Sequence, residues 1–235
     1  LTIQEIYVRI MALYCILLRG IITRRNLIMK TKFDTKSLVL LGLLSAIVII
    51  FSFTPIGTIP IGPLSITLNT IPIAIAAVVL GPIGGLIVGA VFGLCSFLQC
   101  FGIGVLSGMG AATLQISPVL TFVQRFVARA LDGFIVGCLF RLIARSGKVS
   151  RASFITGFFT AFLNTLFFMG ALILFFGNSE YIQNLQGGKN VLAFVIGMIG
   201  VNALLELLAT TVITGAVGTA LYKAKLIQLP ESKKE

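Results

Sequence analysis

The stretch TLNTIPIAIAAVVLGPIGGLIVGAVFGLCSFLQCF, residues 67–101, carries no charged side chain. Its one cluster of helix breakers is Gly81-Pro82-Ile83-Gly84-Gly85. Two apolar segments joined by an uncharged turn predict a tight helical hairpin, with spans at 67–81, which is short, and 83–101. A segment of this kind has no stable place in water, and the rest of the chain repeats the pattern.

Over all 235 residues, hydrophobic types make up 57% and charged types 11%, against about 25% charged in ordinary soluble domains. A soluble enzyme is excluded because too few ionic groups remain to solvate its surface. Disorder is excluded because it needs low hydrophobicity. With about 20 mostly apolar residues needed per crossing, the expected architecture is an all-α, six-helix membrane bundle. Its spans are expected at about 37–54, 67–81, 83–101, 118–144, 152–177 and 190–223.

The formal charge of +11 invites a nucleic-acid reading, but the basic residues cluster at segment ends with no interleaved aromatic stripe. Lys36, the group Arg141, Arg145, Lys148 and Arg151, and the pair Lys223 and Lys225 all mark one side, whereas 55–66 and 102–117 contain no Lys or Arg. The positive-inside rule then predicts both termini in the cytoplasm. Residues 1–28 hold only one short apolar run, cut by Arg19, Arg24 and Arg25, so they read as an extension ahead of Met29 or as a helix lying on the membrane surface. The membrane domain is expected over 29–235.

The opposite-side loop Thr54-Pro-Ile-Gly-Thr-Ile-Pro-Ile-Gly-Pro63 is apolar and rich in residues that forbid regular helix. It is expected to be rigid and extended, either packed over the bundle as a lid or seated among headgroups. The glycine-rich stretch Phe101 to Gly110 is a second candidate cover.

A charge at mid-bilayer costs at least ~2.5–3.5 kcal/mol, so each one needs a partner or a task. Arg125, Arg129 and Asp132 share one face of the fourth span and Glu206 sits mid-way along the sixth. Arg129 and Glu206 are expected as a structural ion pair. Arg125, without an acid at i±3 or i±4, is expected either to grip an anionic ligand or to snorkel outward. The stripes Asn202, Glu206, Thr210, Thr214 and Ser153, Thr156, Thr160, Asn164 read as interhelical glue or as the lining of a site. Asn69, Gln99 and Asn164 should lie in the outer half, where they and Asn202 are candidates for binding a small polar ligand. Gly42 and Ala46 form a small-x-x-x-small pattern that permits close helix approach.

The four cysteines are scattered and histidine is absent, so no CxxC pair or Cys/His zinc set can be built and no metal is expected. There is no P-loop. A membrane enzyme would lack the usual acid–base groups, whereas a stand-alone secondary transporter or channel remains an alternative.

The sequence resembles the substrate-binding (S) component of energy-coupling factor vitamin transporters. The resemblance rests on Ile59-Pro-Ile-Gly-Pro-Leu-Ser-Ile-Thr-Leu-Asn-Thr-Ile-Pro-Ile73, on Val79-Leu-Gly-Pro-Ile-Gly-Gly85 with Gly89 and Phe92-Gly93, and on Arg129-Ala-Leu-Asp-Gly133. It implies a multi-pass protein of a prokaryotic cell membrane that captures a vitamin from outside. It also implies partners: a transmembrane coupling subunit, approached through Gly42 and Ala46, and two cytoplasmic ATPases. No cofactor is expected in this chain, since ATP would be used by the partners. The segments around Ile61-Gly-Pro and Ile71-Pro72 are most similar to pantothenate-type members, with folate, riboflavin and other vitamins as alternatives.

Overall fold

The computed structural model describes residues 34–61, 64–187, 191–225 and 227; the 1–28 extension and Cys15 lie outside them. Helices dominate, and they occupy each stretch the apolar pattern marks. In chain order they are α1 (Thr35–Phe53), α2 (Thr70–Val79), α3 (Gly81–Leu98), α4 (Gly108–Ile116), α5 (Pro118–Phe122), α6 (Ala128–Ala144), α7 (Val149–Phe176), α8 (Glu180–Gln186) and α9 (Val191–Lys223). Four segments are long and apolar enough to cross a bilayer: Thr35–Phe53, Gly81–Phe101, Val149–Phe176 and Asn202–Lys223.

The other two expected spans depart from a regular crossing helix. α2 has 10 residues, about 15 Å of rise against a hydrocarbon core of about 30 Å. Residues 67–69, expected in its first turn, belong instead to a strand end and a turn. The run from Pro118 to Ala144 is interrupted by a π turn at Val123–Val127 and carries four charged residues. Among the described residues, length and composition thus mark four of the six expected spans as crossings, and α2 and the 118–144 run are the two they do not mark.

The all-α expectation also needs correction. The Pro/Gly-rich loop folds as an antiparallel hairpin, β1 (Thr58–Ile61) paired with β2 (Leu64–Thr67), with Thr58 opposite Thr67 and Pro60 opposite Ser65. Proline fixes φ in the extended range, so the segment was correctly read as extended, but its pairing partner came from residues assigned to the approach of the second span. The hairpin is tied to α1 where Thr58 Oγ1 donates to the Phe51 carbonyl at 3.0 Å, and its base closes where Leu68 N donates to Gly57 O at 2.9 Å.

Local chemistry sets the helix boundaries. Asp34 caps α1, its carboxylate accepting from Ser37 N at 3.0 Å and Ser37 Oγ at 2.7 Å. Gly81, with φ of 75°, supplies the left-handed residue between α2 and α3, and Pro82 follows in the first turn of α3. The break is thus a single glycine, and Gly84 and Gly85 lie inside α3. The stretch Phe101 to Gly110, expected as a second flexible cover, contains two left-handed glycines, Gly102 and Gly104, and then the start of α4, capped by Ser107.

Glycines at 85, 89 and 93 let α3 lie directly on the 118–144 run. A Cβ on Gly85 would collide with the Gly133 carbonyl, one on Gly89 with the Arg129 carbonyl, and one on Gly93 would stand 2.8 Å from Phe126 Cα. Backbone-to-backbone approach of this kind is the main source of helix association in an apolar solvent, where burial of hydrocarbon gains nothing. Gly157 on α7 does the same against Thr210 and Thr211 of α9. A Gly133→Leu variant should therefore lose at least the ~1–3 kcal/mol typical of overpacking. Its thermal unfolding in detergent should fall well below that of the parent, while Gly42→Leu, on the exposed face of α1 with open space around it and an ordinary helical backbone, has no such clash to relieve.

Candidate functional site

A cavity opens between α3, α6, α7 and α9 beneath the hairpin. Its polar lining comprises Arg125, Arg129, Gln99, Asn164, Asn202 and Glu206, with Ser96 and Ser107 on one side and Thr58 and Thr67 from the two strands. Phe92, Met109, Phe168 and Met169 supply the apolar wall. A mainly preformed hollow with a few convergent polar groups is the usual form of a small-molecule site.

Arg125 lies in the π turn and is 3% exposed, so the snorkelling alternative is overturned: the side chain points inward. One guanidinium nitrogen donates to Ser96 Oγ at 2.9 Å and the other to Ser107 Oγ at 3.0 Å. The π turn widens the helix by one residue per hydrogen-bonded ring, and the Arg125 carbonyl accepts from Arg129 Nη1 at 3.1 Å. The Arg129 guanidinium lies 4.4 Å from the Phe92 ring centroid and 5.0 Å from that of Phe168, and Arg125 lies 5.3 Å from Phe168. Cation–π contact of this type partly replaces the lost hydration. The Nε atoms of both arginines are buried and have no hydrogen-bond partner among the described residues.

The expected Arg129–Glu206 ion pair is not closed. Arg129 is taken up by the Arg125 carbonyl and two rings, and Glu206 Oε1 accepts from Asn164 Nδ2 at 3.2 Å. The two charges line the same cavity and act on each other across it rather than touching. Asp132 is fully buried, yet its oxygens have no partner among the described residues and it stays off the cavity wall. The face shared by Arg125 and Arg129 therefore does not extend to it.

Of the polar candidates, Gln99, Asn164 and Asn202 reach the cavity and Asn69 does not. Asn69 is completely buried behind the wall, where its Nδ2 donates to Ser52 Oγ at 3.2 Å and Thr67 Oγ1 at 3.1 Å. Gln99 Nε2 donates to the Ser52 carbonyl, so the end of α1, the second strand and the end of α3 meet at one serine. The two polar stripes divide. Asn202, Glu206 and Asn164 face the cavity, whereas Thr210 bonds Thr70 at 2.8 Å and Ser153, Thr156 and Thr160 donate to carbonyls of their own helix.

Ser96, Ser107, Phe92 and Phe168 were not anticipated. A signal existed for some of them: Phe92, Ser96 and Gln99 follow i, i+4, i+7 on α3, and Asn164 and Phe168 are one turn apart on α7, so helical spacing from the polar candidates leads to their neighbours. Gly42 and Ala46 are exposed on α1, with nothing near Gly42, away from its buried face of Leu44, Val48 and Ser52. Cys95, Cys100 and Cys138 are buried free thiols. Because Asn69 serves the scaffold, Asn69→Ala should lower the melting temperature, by an amount corresponding to ~1–3 kcal/mol for orphaned buried partners. Asn202→Ala, on a partly exposed cavity position, should leave it within experimental error, and differential scanning fluorimetry of the two variants checks both.

Residues 36–218 match the family model described as ECF transporter, substrate-specific component. The curated pantothenate transporter PanT of Leuconostoc mesenteroides subsp. mesenteroides is 27% identical over 198 residues, which cover 80% of this chain and 92% of that protein.

Proposed function

This chain belongs to the family of ECF transporter substrate-specific components, membrane transport proteins rather than enzymes, and on that premise we propose that it binds pantothenate in the cavity described above. The observation that carries the substrate is the pair of buried guanidinium groups with unpartnered Nε atoms on one wall, opposite the Asn164 and Glu206 oxygens on another. The arginines call for an anion, and a carboxylate meets a guanidinium with the strongest of the ordinary hydrogen bonds. Pantothenate has one carboxylate, an amide and two hydroxyls to satisfy the polar groups, and a geminal dimethyl group suited to Phe92, Phe168, Met109 and Met169. The relative named as a pantothenate transporter favours the same ligand over folate or riboflavin.

In this reading Arg125 grips the carboxylate, with Gln99, Asn164 and Asn202 placing the rest. The chain traverses the prokaryotic cell membrane six times with both ends in the cytoplasm. The hairpin faces outward, where ligand arrives. The exposed Gly42 and Ala46 face of α1 meets a transmembrane coupling subunit, and two cytoplasmic ATPases supply the energy that this chain, without a nucleotide-binding loop, cannot draw from ATP itself.

Titration calorimetry of the purified protein against pantothenate, riboflavin and folate tests the substrate. Pantothenate alone should bind saturably, and Arg125→Ala should weaken it at least about a hundredfold, the loss of a charge-assisted pair in a desolvated site. Binding of a different vitamin with pantothenate silent would overturn the assignment. For the assembly, proteoliposomes holding only this chain should show no uptake, and addition of the coupling subunit and ATPases should confer ATP-dependent uptake. Leucine at both 42 and 46 should abolish that uptake while ligand binding is retained, and uptake by the chain alone would mark it as a secondary transporter.

A further inference from the structure

The geometry points to Glu206 as the residue that selects the hydroxyl end of the ligand, setting its orientation and its specificity; this rests on the reading of the cavity as a pantothenate site. Three observations converge on it. Glu206 is 6% exposed and lines the cavity; its carboxylate accepts from Asn164 Nδ2 at 3.2 Å, with the Thr70 hydroxyl and the Thr67 main-chain N–H also against it. Its expected ionic partner does not close on it, because Arg129 is occupied by the Arg125 carbonyl and the rings of Phe92 and Phe168. Beside it, Asn164 Oδ1 is buried with no donor. Two acceptor groups are therefore gathered at one end of the hollow, and one of them, Asn164 Oδ1, has no donor among the described residues.

The cavity is polar along its length. Phe168 marks the level of both guanidinium groups, and Asn164, which holds Glu206, is one helical turn away on α7. Four residues of helix correspond to about 6 Å along the axis. In pantothenate the carboxyl carbon and the first hydroxyl-bearing carbon are five bonds apart, also about 6 Å when extended. With the carboxylate on Arg125, the hydroxyls fall at the level of Asn164 and Glu206, and they are O–H donors, as those acceptors require. The reverse orientation would set a carboxylate against a carboxylate in a desolvated pocket. A ligand bearing a phosphate on its terminal hydroxyl would suffer the same repulsion, so the phosphorylated form of the vitamin is excluded.

Calorimetry with two ligands separates this role from a structural one. The probes are pantothenate and N-pivaloyl-β-alanine, which keeps the carboxylate and amide but lacks both hydroxyls. Glu206→Gln preserves shape and still accepts from Asn164. It should weaken pantothenate about 10- to 100-fold, the range for a lost hydrogen bond to a charged group, and leave the weaker binding of the hydroxyl-free analogue unchanged. Arg125→Gln should weaken both ligands alike. Equal losses for both ligands in Glu206→Gln, or no loss for either, would overturn the assignment of Glu206 and leave the pantothenate site standing. Wild-type binding of pantothenate phosphorylated on its terminal hydroxyl, as tight as that of pantothenate, would overturn it as well. Absence of pantothenate binding by the wild-type protein, with its far-ultraviolet circular dichroism intact, would remove the site reading and this inference together.

Discussion

Two guanidinium groups buried one helical turn apart are the constraint around which the interior of this protein is organised. Neither reaches solvent: Arg125 is 3% exposed and Arg129 6%. Desolvating an ion in an apolar interior costs several kcal/mol even after relaxation, and among the described residues no carboxylate touches either group to offset it. What stands in for water is a set of partial substitutes. Two serine hydroxyls serve Arg125, a main-chain carbonyl serves Arg129, and the faces of Phe92 and Phe168 supply quadrupole attraction. Each is weaker than a full charge partner, and the remaining Nε donors have none. The two groups thus remain short of a full negative charge to pair with.

The backbone irregularities follow from this demand. A regular α-helix through 118–144 would hydrogen-bond every interior carbonyl within the helix, whereas the π turn at Val123–Val127 shifts the ladder at the position where Arg125 must aim into the hollow and its carbonyl must serve Arg129. The wider turn also brings backbone close to α3, and only glycine at 89 and 93 leaves room for the Arg129 carbonyl and for Phe126. The glycine ladder on α3 and the π turn opposite it are two sides of one contact. Ser107 extends the same logic beyond the membrane-spanning helices, since its hydroxyl receives Arg125 at 3.0 Å and Gly110 N at 3.2 Å. The guanidinium thereby fixes the start of α4 as well as the cavity wall.

Much of this was legible in residue pattern because membrane burial makes charge and hydropathy unusually informative. Arg125, Gln99, Asn164 and Asn202 could be picked out as candidates since polar groups in apolar segments are costly and therefore few. Three features were not legible, for separable reasons. The π turn has no glycine or proline to announce it, being imposed by tertiary contact. The hairpin was half visible: Pro55, Pro60 and Pro63 announce an extended segment, but the second strand, Leu64–Thr67, shows its apolar/polar alternation over only four residues, too few to stand out from the apolar run that follows. Asn69 and the Arg129–Glu206 pair were misassigned because depth along a span says nothing of azimuth. Asn69 sits at the right height yet faces Ser52 and Thr67, and Arg129 and Glu206 are at matching depth on helices separated by the cavity.

Ser52 shows how the scaffold and the site are joined. Its hydroxyl receives Asn69, its carbonyl receives Gln99, and Thr58 reaches the same end of α1 through the Phe51 carbonyl. Thr58, Thr67 and Gln99 all line the cavity, so one end of α1 anchors the second strand, the first strand and the tip of α3 at once. The opposite face of that helix is exposed at Gly42 and Ala46, while Leu44, Val48 and Ser52 are buried in the bundle and Leu40, Leu41 and Ile47 pack half-buried beside them. The helix is thus packed on α2 and α3 along one face and hydrogen-bonded at its end to the wall of the cavity. Any shift it makes is passed to the strands and to Gln99 through hydrogen bonds that are themselves buried and without water to replace them. The cover of the cavity and the outer surface of α1 are mechanically one element.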